Sequence, residues 1–193
     1  MNQGKIGAIS FVECTNSLYV KPKRVLYTQG GRQKSWDIIE AHDSVSILLF
    51  HAQQEAFLLV KQFRPAVYLK NGDGFTYELC AGIIDKESKT LQEIASEEIF
   101  EECGYAVSPD ELQKITSFYT SVGFAGSRQT LFFGSIDETR KEHSGGGIDQ
   151  EEIELVFLPL CEAKAFMMDE NIPKTPGLLF AFHWFFERTA SQS

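Results

Sequence analysis

Carboxylates crowd the apolar side of one segment, Leu91–Cys103, which reads LQEIASEEIFEEC. At about 100° per residue, a helix here forms an apolar stripe from Leu91, Ile94, Ala95 and Ile99. Glu98 and Glu102 fall within about 20° of the centre of that stripe, and Glu101 flanks it. Burying unpaired carboxylates is costly, and a divalent cation such as Mg²⁺, which prefers oxygen ligands, would resolve the conflict. The alternative is an exposed acidic helix with a narrower apolar stripe.

The elements that must position these carboxylates can be read from local signals. Thr90 begins a capping box, and Gly104 stands where a glycine commonly ends a helix. We predict two further helices, at 162–168 and 177–189. Strand patterns favour Ile6–Cys14, Arg24–Tyr27, Ser35–Glu40, Ser44–Phe50, Ala56–Phe63, Phe75–Ile84, Lys114–Val122, Arg128–Ile136 and Ile153–Leu160. Because strands outnumber helices and helices interrupt the sheet, the predicted class is α+β (mixed α/β).

The carboxylate segment resembles the Nudix box, G-x5-E-x7-R-E-U-x-E-E-x-G-U, in which U is a bulky apolar residue. Glu98–Tyr105 matches the half E-U-x-E-E-x-G-U in full, and Gly82 corresponds to the opening glycine. The front half departs from the pattern. One additional residue follows Gly82, Lys89 stands at the box Glu, and Glu97 stands at the box Arg. In the family that Glu and Arg brace the loop against the helix, so the replacements put this bracing in question.

Other segments are similar to the Nudix branch that hydrolyses ADP-ribose and nucleotide sugars. They are Ser35-Trp36-Asp37, Val60–Pro65, Glu78–Gly82 and Gly126–Thr130. The run Gly-Ser-Arg-Gln-Thr at 126–130 and Ile172–Thr175 look most like the UDP-sugar pyrophosphatases. ADP-ribose pyrophosphatases usually place a proline soon after the box, whereas this chain reads SVGF at 121–124.

The resemblance implies hydrolysis of UDP-glucose to UMP and glucose 1-phosphate, dependent on Mg²⁺, with Mn²⁺ as a substitute. It implies that Glu98, Glu101 and Glu102 bind the metal together with the backbone carbonyl of Ala81. Glu98 and Glu101 are therefore predicted catalytic residues. One alternative is the same chemistry on ADP-ribose, giving AMP and ribose 5-phosphate. A second alternative, motivated by Lys89 and Glu97, is a catalytically weak module that binds nucleotide sugars.

The catalytic base and the substrate contacts lie outside the box. A glycine-rich loop after the box carries Glu151, our first candidate for the base, and Glu152, the second. Both could instead only solvate a mobile loop. Arg64 and Arg128 are candidates to bind the diphosphate, since guanidinium pairs bidentately with phosphate, although either could form a structural ion pair. Trp36 could stack on uracil or belong to a core.

The resemblance also implies a domain organisation. We expect a Nudix fold, a mixed β-sheet sandwiched by helices, over residues 41–193 as the catalytic domain. Residues 1–40 are predicted to form a small antiparallel sheet. Relatives exchange such a sheet between subunits, so the expected state is a homodimer. The basic character of this segment suits contact with an acidic catalytic domain, and an ordinary exposed face is the alternative.

Composition narrows the classes further. The chain has 193 residues and a net charge of −9, which argues against a binder of nucleic acid polymers or of anionic membranes. The acids concentrate at 90–113, with seven acids and no base, and at 137–154, with seven acids and two bases. No apolar run is long enough to span a bilayer, and no signal peptide is recognised. The four cysteines lack a C-x-x-C pair, so we predict a cytoplasmic protein with reduced thiols.

Overall fold

The computed structural model describes residues 6–17, 20–148 and 151–190. Within these ranges it contains nine strands: β1 Lys21–Gln29, β2 Arg32–Glu40, β3 Ser44–His51, β4 Ala56–Phe63, β5 Phe75–Glu78, β6 Cys80–Ile83, β7 Gln113–Thr120, β8 Ser127–Ile136 and β9 Glu154–Pro159. The same ranges contain four α-helices: α1 Pro65–Asn71, α2 Leu91–Glu98, α3 Leu160–Met168 and α4 Pro176–Ala190. A π-helical turn, Ile99–Cys103, continues α2.

Seven strands form one mixed sheet, in which β5-β4-β3-β8-β7 are neighbours in that order. Strands β3 and β8 run parallel, and the other pairs are antiparallel. β3 divides one of its edges between two partners, because its first half pairs with β6 and its second half with β4. This division places Ala81 and Gly82 of β6 directly opposite Ser46 and Val45.

Helices cover both faces of this sheet, as the predicted fold class requires. On one face, Ile94, Ala95 and Ile99 pack in a core with the inward residues of β3, β4 and β8. On the other face, α3 and α4 pack on a second core, where the ring of Phe182 stacks on Phe57 at 4.4 Å between centroids. Among the described residues, no helix is long and apolar enough to cross a bilayer.

Strands β1 and β2 form a separate two-stranded antiparallel sheet with nearly all of its residues exposed. Two hydrogen bonds join it to the loop after β7. The Ile39 N–H donates to the Phe124 carbonyl, and the Trp36 indole N–H donates to the Gly123 carbonyl, both at 2.7 Å. The small N-terminal sheet was predicted, while the domain boundary at residue 40 stays a prediction.

Two local predictions were wrong, and one helix was missed. Ile6–Cys14 is not a strand, since the described residues of that segment contain no regular structure. Strand propensity depends on packing against neighbours, and this segment has no paired strand. Phe75–Ile84 is two strands, β5 and β6, which break at Leu79 and pair with different partners. Helix α1 was missed because it is short and begins at Pro65, a residue that also signals a turn.

Candidate active site

The predicted cap and end of the carboxylate helix are both present. The Thr90 hydroxyl accepts a hydrogen bond from the Glu93 N–H, and the Glu93 carboxylate accepts one from the Thr90 N–H. The π-helical turn after Glu98 ends at Gly104, which has φ 75° and so adopts the left-handed conformation that glycine tolerates. These local signals fix the rotation of the helix and the direction of its carboxylates.

That rotation turns two carboxylates toward strand β6. Glu102 is only 6% exposed, and its Oε2 accepts a hydrogen bond from the Ala81 N–H at 3.0 Å. Glu98 is half-buried against Gly82, and any side chain at Gly82 would overlap its carboxyl group. Glu101 is also half-buried. The structure therefore turns Glu98 and Glu102 to the same side of the helix, as the periodicity predicted, and places both beside the Ala81–Gly82 backbone.

Burial changes the chemistry of both carboxyl groups. Desolvation raises the pKa of Glu98 from an ordinary value of 4.5 to about 7, and the charge of Glu101 adds to the effect. Desolvation likewise raises the pKa of Glu102 to about 8, against the opposing hydrogen bonds from Ala81 and Cys80. The charge of Glu151 contributes in the same upward direction at both groups. Burial and the neighbouring acids thus disfavour the ionised forms of both carboxyl groups.

These shifts predict a pH dependence for the metal-free protein. Because the folded pKa values exceed the unfolded ones, the folded state binds more protons between about pH 4.5 and 8, and stability falls as pH rises through that window. Thermal unfolding in EDTA, from pH 5.5 to 8.5, should show a shallower decline for Glu102→Gln than for the wild type. Parallel profiles for the two proteins would contradict the shift at Glu102.

The two box positions that depart from the family pattern form an ion pair with exchanged charges. Lys89, at the position of the box Glu, pairs with Glu97, at the position of the box Arg. Lys86 binds the other oxygen of the same carboxylate at 2.9 Å. Glu97 directly precedes Glu98 in the helix, and both lysines lie in the loop that follows β6. The loop and helix are therefore joined here with the charges reversed.

Exchanging the charges back tests this arrangement. Lys89→Glu alone sets two carboxylates against each other, and we expect it to reduce turnover by displacing the loop next to Glu98. The double variant Lys89→Glu/Glu97→Lys should recover most of the loss. Exposed ion pairs contribute only about 0.2–1 kcal/mol, so the unfolding free energy should change little in either protein. If the turnover of the double variant is as low as that of Lys89→Glu, the ion pair does not position the loop.

The glycine-rich loop is attached to the end of the carboxylate helix. The Gly146 N–H donates to the Glu102 carbonyl at 2.8 Å, and Gly104 accepts from the N–H of Glu142. Further along, the Ile148 N–H donates to the carboxylate of Glu151 at 3.2 Å. Residues 149–150 lie outside the described residues. Glu151 and Glu152 are both exposed, and the charge of Glu151 contributes to the raised pKa of Glu98 and of Glu102.

A cleft of about 620 Å³ begins at Ala81 and extends away from the carboxylates. Its two charged lining residues, Arg64 and Glu78, form a bidentate ion pair with two contacts of 2.8 Å. Hydrogen bonds to Glu78 raise the pKa of Arg64, and the charges of Glu102 and Glu151 add to this rise. Arg64 thus lies between the cleft and the carboxylates of Glu102 and Glu151. The ion pair that the sequence left as an alternative is present at this residue.

The other two predicted substrate residues lie at or beyond the cleft rim. Arg128 is exposed and lies opposite Tyr119 in the register of β7 and β8, and Tyr119 lines the cleft with 67% of its surface exposed. Trp36 is 55% exposed, is not part of a core, and reaches the rim only through its hydrogen bond to Gly123. The single chain does not bring either residue to the carboxylates.

The sequence reasoning missed three site residues. Glu78 was quoted within a similar segment, but its pairing with Arg64 needs the β4–β5 register to be seen. Lys86 gave no signal, because its spacing of eleven residues from Glu97 spans an irregular loop. Ser46 is a polar residue in an apolar strand, 2% exposed, which lines the cleft. The alternation of SVSILLF was the one available hint.

The donor set fits a hard divalent cation. Among the described residues, no three His, Cys, Asp or Glu side chains already converge as a metal cluster. Even so, the half-buried Glu98 and the buried Glu102 supply carboxylate oxygens, and β6 ends beside them with backbone carbonyls. Oxygen ligands of this kind suit Mg²⁺, which keeps part of its coordination for water and phosphate. Because burial raises the pKa of both groups, a nearby positive charge would stabilise their ionised forms.

Comparisons with known proteins give similar chains and a similar fold. The chain is 38% identical to the uridine diphosphate glucose pyrophosphatase NUDT14 of Bos taurus, with 96% of each chain covered. It is 33% identical to a GDP-mannose pyrophosphatase of Pectobacterium atrosepticum, covering 76% of this chain and 75% of the relative. A crystal structure of an ADP compounds hydrolase superposes with a TM-score of 0.74 over 92% of this chain and 90% of that one, at 15% identity. No family model matches the chain.

Proposed function

This chain belongs to the Nudix hydrolase family, and we propose that it hydrolyses the diphosphate bond of a nucleotide sugar, UDP-glucose first, giving UMP and glucose 1-phosphate. One observation carries the proposal. Glu102 is buried and Glu98 half-buried beside the Ala81–Gly82 backbone, both with raised pKa values, and a cleft begins at the same point. The relatives named as pyrophosphatases of UDP-glucose and GDP-mannose support this choice of substrate class.

Mg²⁺, with Mn²⁺ as a substitute, is the proposed cofactor. Glu98, Glu101, Glu102 and the carbonyl of Ala81 would hold it, and it would supply neutralisation of the diphosphate charge and activation of water. The protein supplies the geometry. The Ala81 N–H fixes one oxygen of Glu102, and the absence of a side chain at Gly82 leaves room for the carboxylate of Glu98.

Residues outside the carboxylate helix have proposed roles in proton transfer and substrate binding. Glu151, whose carboxylate lies near Glu98 and Glu102, accepts the proton from the attacking water, and Glu152 is the second candidate. Arg64 keeps part of its guanidinium available beyond the Glu78 pair and orients a phosphate oxygen at the start of the cleft. Arg128 is the proposed second cation for the diphosphate, and Trp36 the proposed stacking surface for uracil.

We propose that the molecule is a homodimer in which the β1–β2 sheet contacts the other subunit. An isolated two-stranded hairpin is marginal in water, and this one exposes Val25, Leu26 and Trp36. Contact with a second subunit would cover these side chains and bring Trp36 and Arg128 nearer to a substrate. Residues 1–40 and 41–193 are the proposed domains. Sedimentation as a monomer at micromolar concentration would contradict the dimer.

A cytoplasmic location is part of the same proposal. Each of the four cysteines is free, and Cys80 and Cys103 are buried. Free thiols agree with a reducing compartment. Recovery of a tagged protein from the secreted fraction of its native cells would contradict this location.

A substrate panel tests the proposed activity. UDP-glucose, GDP-mannose, ADP-ribose and a dinucleoside polyphosphate are each incubated with the protein and Mg²⁺, and the released nucleotides are separated. We expect the highest kcat/KM for UDP-glucose. Higher kcat/KM for ADP-ribose would establish the alternative substrate, which the ADP compounds hydrolase fold makes a fair competitor. Binding of UDP-glucose without hydrolysis would establish the non-catalytic binding module.

A further inference from the structure

The cleft contains a buried hydroxyl group without a partner. Ser46 lies on β3, is 2% exposed, and its Oγ has no hydrogen-bond partner in the described part of the chain. Ser117, on β7, shows the usual arrangement, since its hydroxyl pairs with that of Thr130 at 3.0 Å. An unpaired buried hydroxyl costs folding free energy, so its presence in a cleft lining indicates a ligand group that completes it.

A second donor faces the same cleft from helix α4. The helix begins at Pro176, which has no N–H, and the next two N–H groups after Gly177 both donate to Thr175. The Gly177 N–H is therefore the first donor of the helix, and it has no partner among the described residues. Thr175, Pro176 and Gly177 all line the cleft, so this end of a 15-residue helix faces it.

Gly177 keeps a space open in the lining of the cleft. A side chain here would bring its Cβ to 3.0 Å from the Oε1 of Gln129 and 3.3 Å from the Cζ of Phe118. Its backbone has no positive φ, so alanine would be conformationally acceptable in the helix. The glycine thus leaves space next to Gln129. It does not serve to adopt a special backbone conformation.

The groups inside the cleft suit a neutral ligand rich in hydroxyl groups. Arg64 and Glu78 neutralise each other, and the remaining polar lining consists of hydroxyl, amide and backbone groups. The exposed aromatic side chains, which suit a flat base, lie outside the interior of the cleft. Tyr119 is at the rim, and Trp36 lies beyond the rim. A hexose offers hydroxyl groups that both donate and accept hydrogen bonds.

We propose that Ser46 Oγ and the Gly177 N–H hydrogen-bond the hydroxyl groups of the hexose, so that this cleft recognises the sugar of the nucleotide sugar. This proposal rests on the proposed function. It adds which part of the substrate, the hexose, binds in the cleft. Ser46 and Gly177 are binding residues, and the diphosphate stays with the carboxylates beside Ala81.

Three substrates separate sugar recognition from base recognition and from catalysis. They are UDP-glucose, GDP-glucose and the methyl ester of UDP, which keeps uridine and the diphosphate but lacks the hexose. Ser46→Ala should lower kcat/KM for either hexose substrate, relative to the methyl ester, by about fivefold to tenfold, the loss expected for one hydrogen bond. Gly177→Ala should lower the same ratio further, because its methyl group fills the space beside Gln129.

The matched control is Ser117→Ala, which removes a paired hydroxyl outside the cleft. It should lower the melting temperature and leave the substrate ratio unchanged. Ser46→Ala should keep or raise the melting temperature without substrate, since it removes an unpaired group, and Gly177→Ala should also keep or raise it. If the melting temperature falls as much in Ser46→Ala as in Ser117→Ala, the Ser46 hydroxyl serves folding, and the proposal is overturned.

The remaining outcomes distinguish this inference from the function on which it rests. Equal losses on all three substrates overturn sugar recognition while leaving nucleotide-sugar hydrolysis intact. A loss of kcat/KM confined to the two uridine substrates places the base in the cleft, and this outcome also overturns sugar recognition. If the wild type hydrolyses none of the nucleotide sugars, the proposed function fails and the sugar site fails with it. If the wild type hydrolyses the two hexose substrates but not the methyl ester, a hexose requirement is supported. The kcat/KM of Ser46→Ala on the two hexose substrates is then compared with that of the wild type. A lower value supports the proposal, and an unchanged value overturns it.

Discussion

Glu102→Gln should reduce kcat for nucleotide-sugar hydrolysis by about a thousandfold, the effect of losing several kcal/mol of charge stabilisation. The substitution keeps the size of the side chain, and its amide oxygen can still accept the hydrogen bond from the Ala81 N–H. It removes the negative charge that a cation would bind. The fold should be retained, and the protein should unfold at a melting temperature equal to or above that of the wild type in EDTA, because a buried carboxylate has been replaced.

The control is Glu87→Gln, an exposed carboxylate in the loop before helix α2. It removes the same charge from the same region and should leave kcat within about twofold, as surface substitutions usually do. Turnover is measured with saturating UDP-glucose, and Mg²⁺ binding is followed by the increase in melting temperature. Full activity in Glu102→Gln would remove this residue from the proposed metal site.

Gly82→Ala should reduce kcat by about a hundredfold without unfolding the protein, because small displacements of catalytic groups have effects of this size. The new methyl group would occupy the position of the Glu98 carboxyl group. Gly82 does not have a positive φ, so the backbone itself accepts alanine. The flexible end of Glu98 moves instead, and the carboxylate leaves its place beside β6.

Gly123→Ala provides the comparison. No atom lies within 4 Å of a Cβ added there, and its backbone also lacks a positive φ. Both variants should show far-ultraviolet circular dichroism like that of the wild type, and only Gly82→Ala should lose turnover and the Mg²⁺-dependent rise in melting temperature. If Gly82→Ala stays fully active, Glu98 does not need the position that the structure gives it.

The part of the site that the sequence predicts is the part encoded locally. A 3.6-residue period, a capping box at Thr90 and a glycine at 104 determine the rotation of α2, and rotation alone turns Glu98 and Glu102 inward. The strands β3, β4, β7, β8 and β9 were predictable for the same reason, since alternation and apolar runs are local. Each of these inferences needs only residues that are close in the chain.

The remainder depends on contacts between distant segments. Lys89 and Glu97 look like two losses from a family pattern, and only the path of the loop shows that they form a single reversed ion pair. The break between β5 and β6 arises because β4 and β3 each take one of them as a partner, which no property of the segment 75–84 reveals. Ser46 resembles any strand serine until the cleft beside it is seen.

In the proposed function, the carboxylates of Glu98 and Glu102 beside β6 support metal-dependent hydrolysis of a nucleotide-sugar diphosphate. The most direct test is product analysis after incubation of the wild-type protein with UDP-glucose, in Mg²⁺ and in excess EDTA. The proposed function predicts equal amounts of UMP and glucose 1-phosphate with Mg²⁺, and neither product with EDTA. Release of products that persists in EDTA, or no release in Mg²⁺ from folded protein, would contradict the claim.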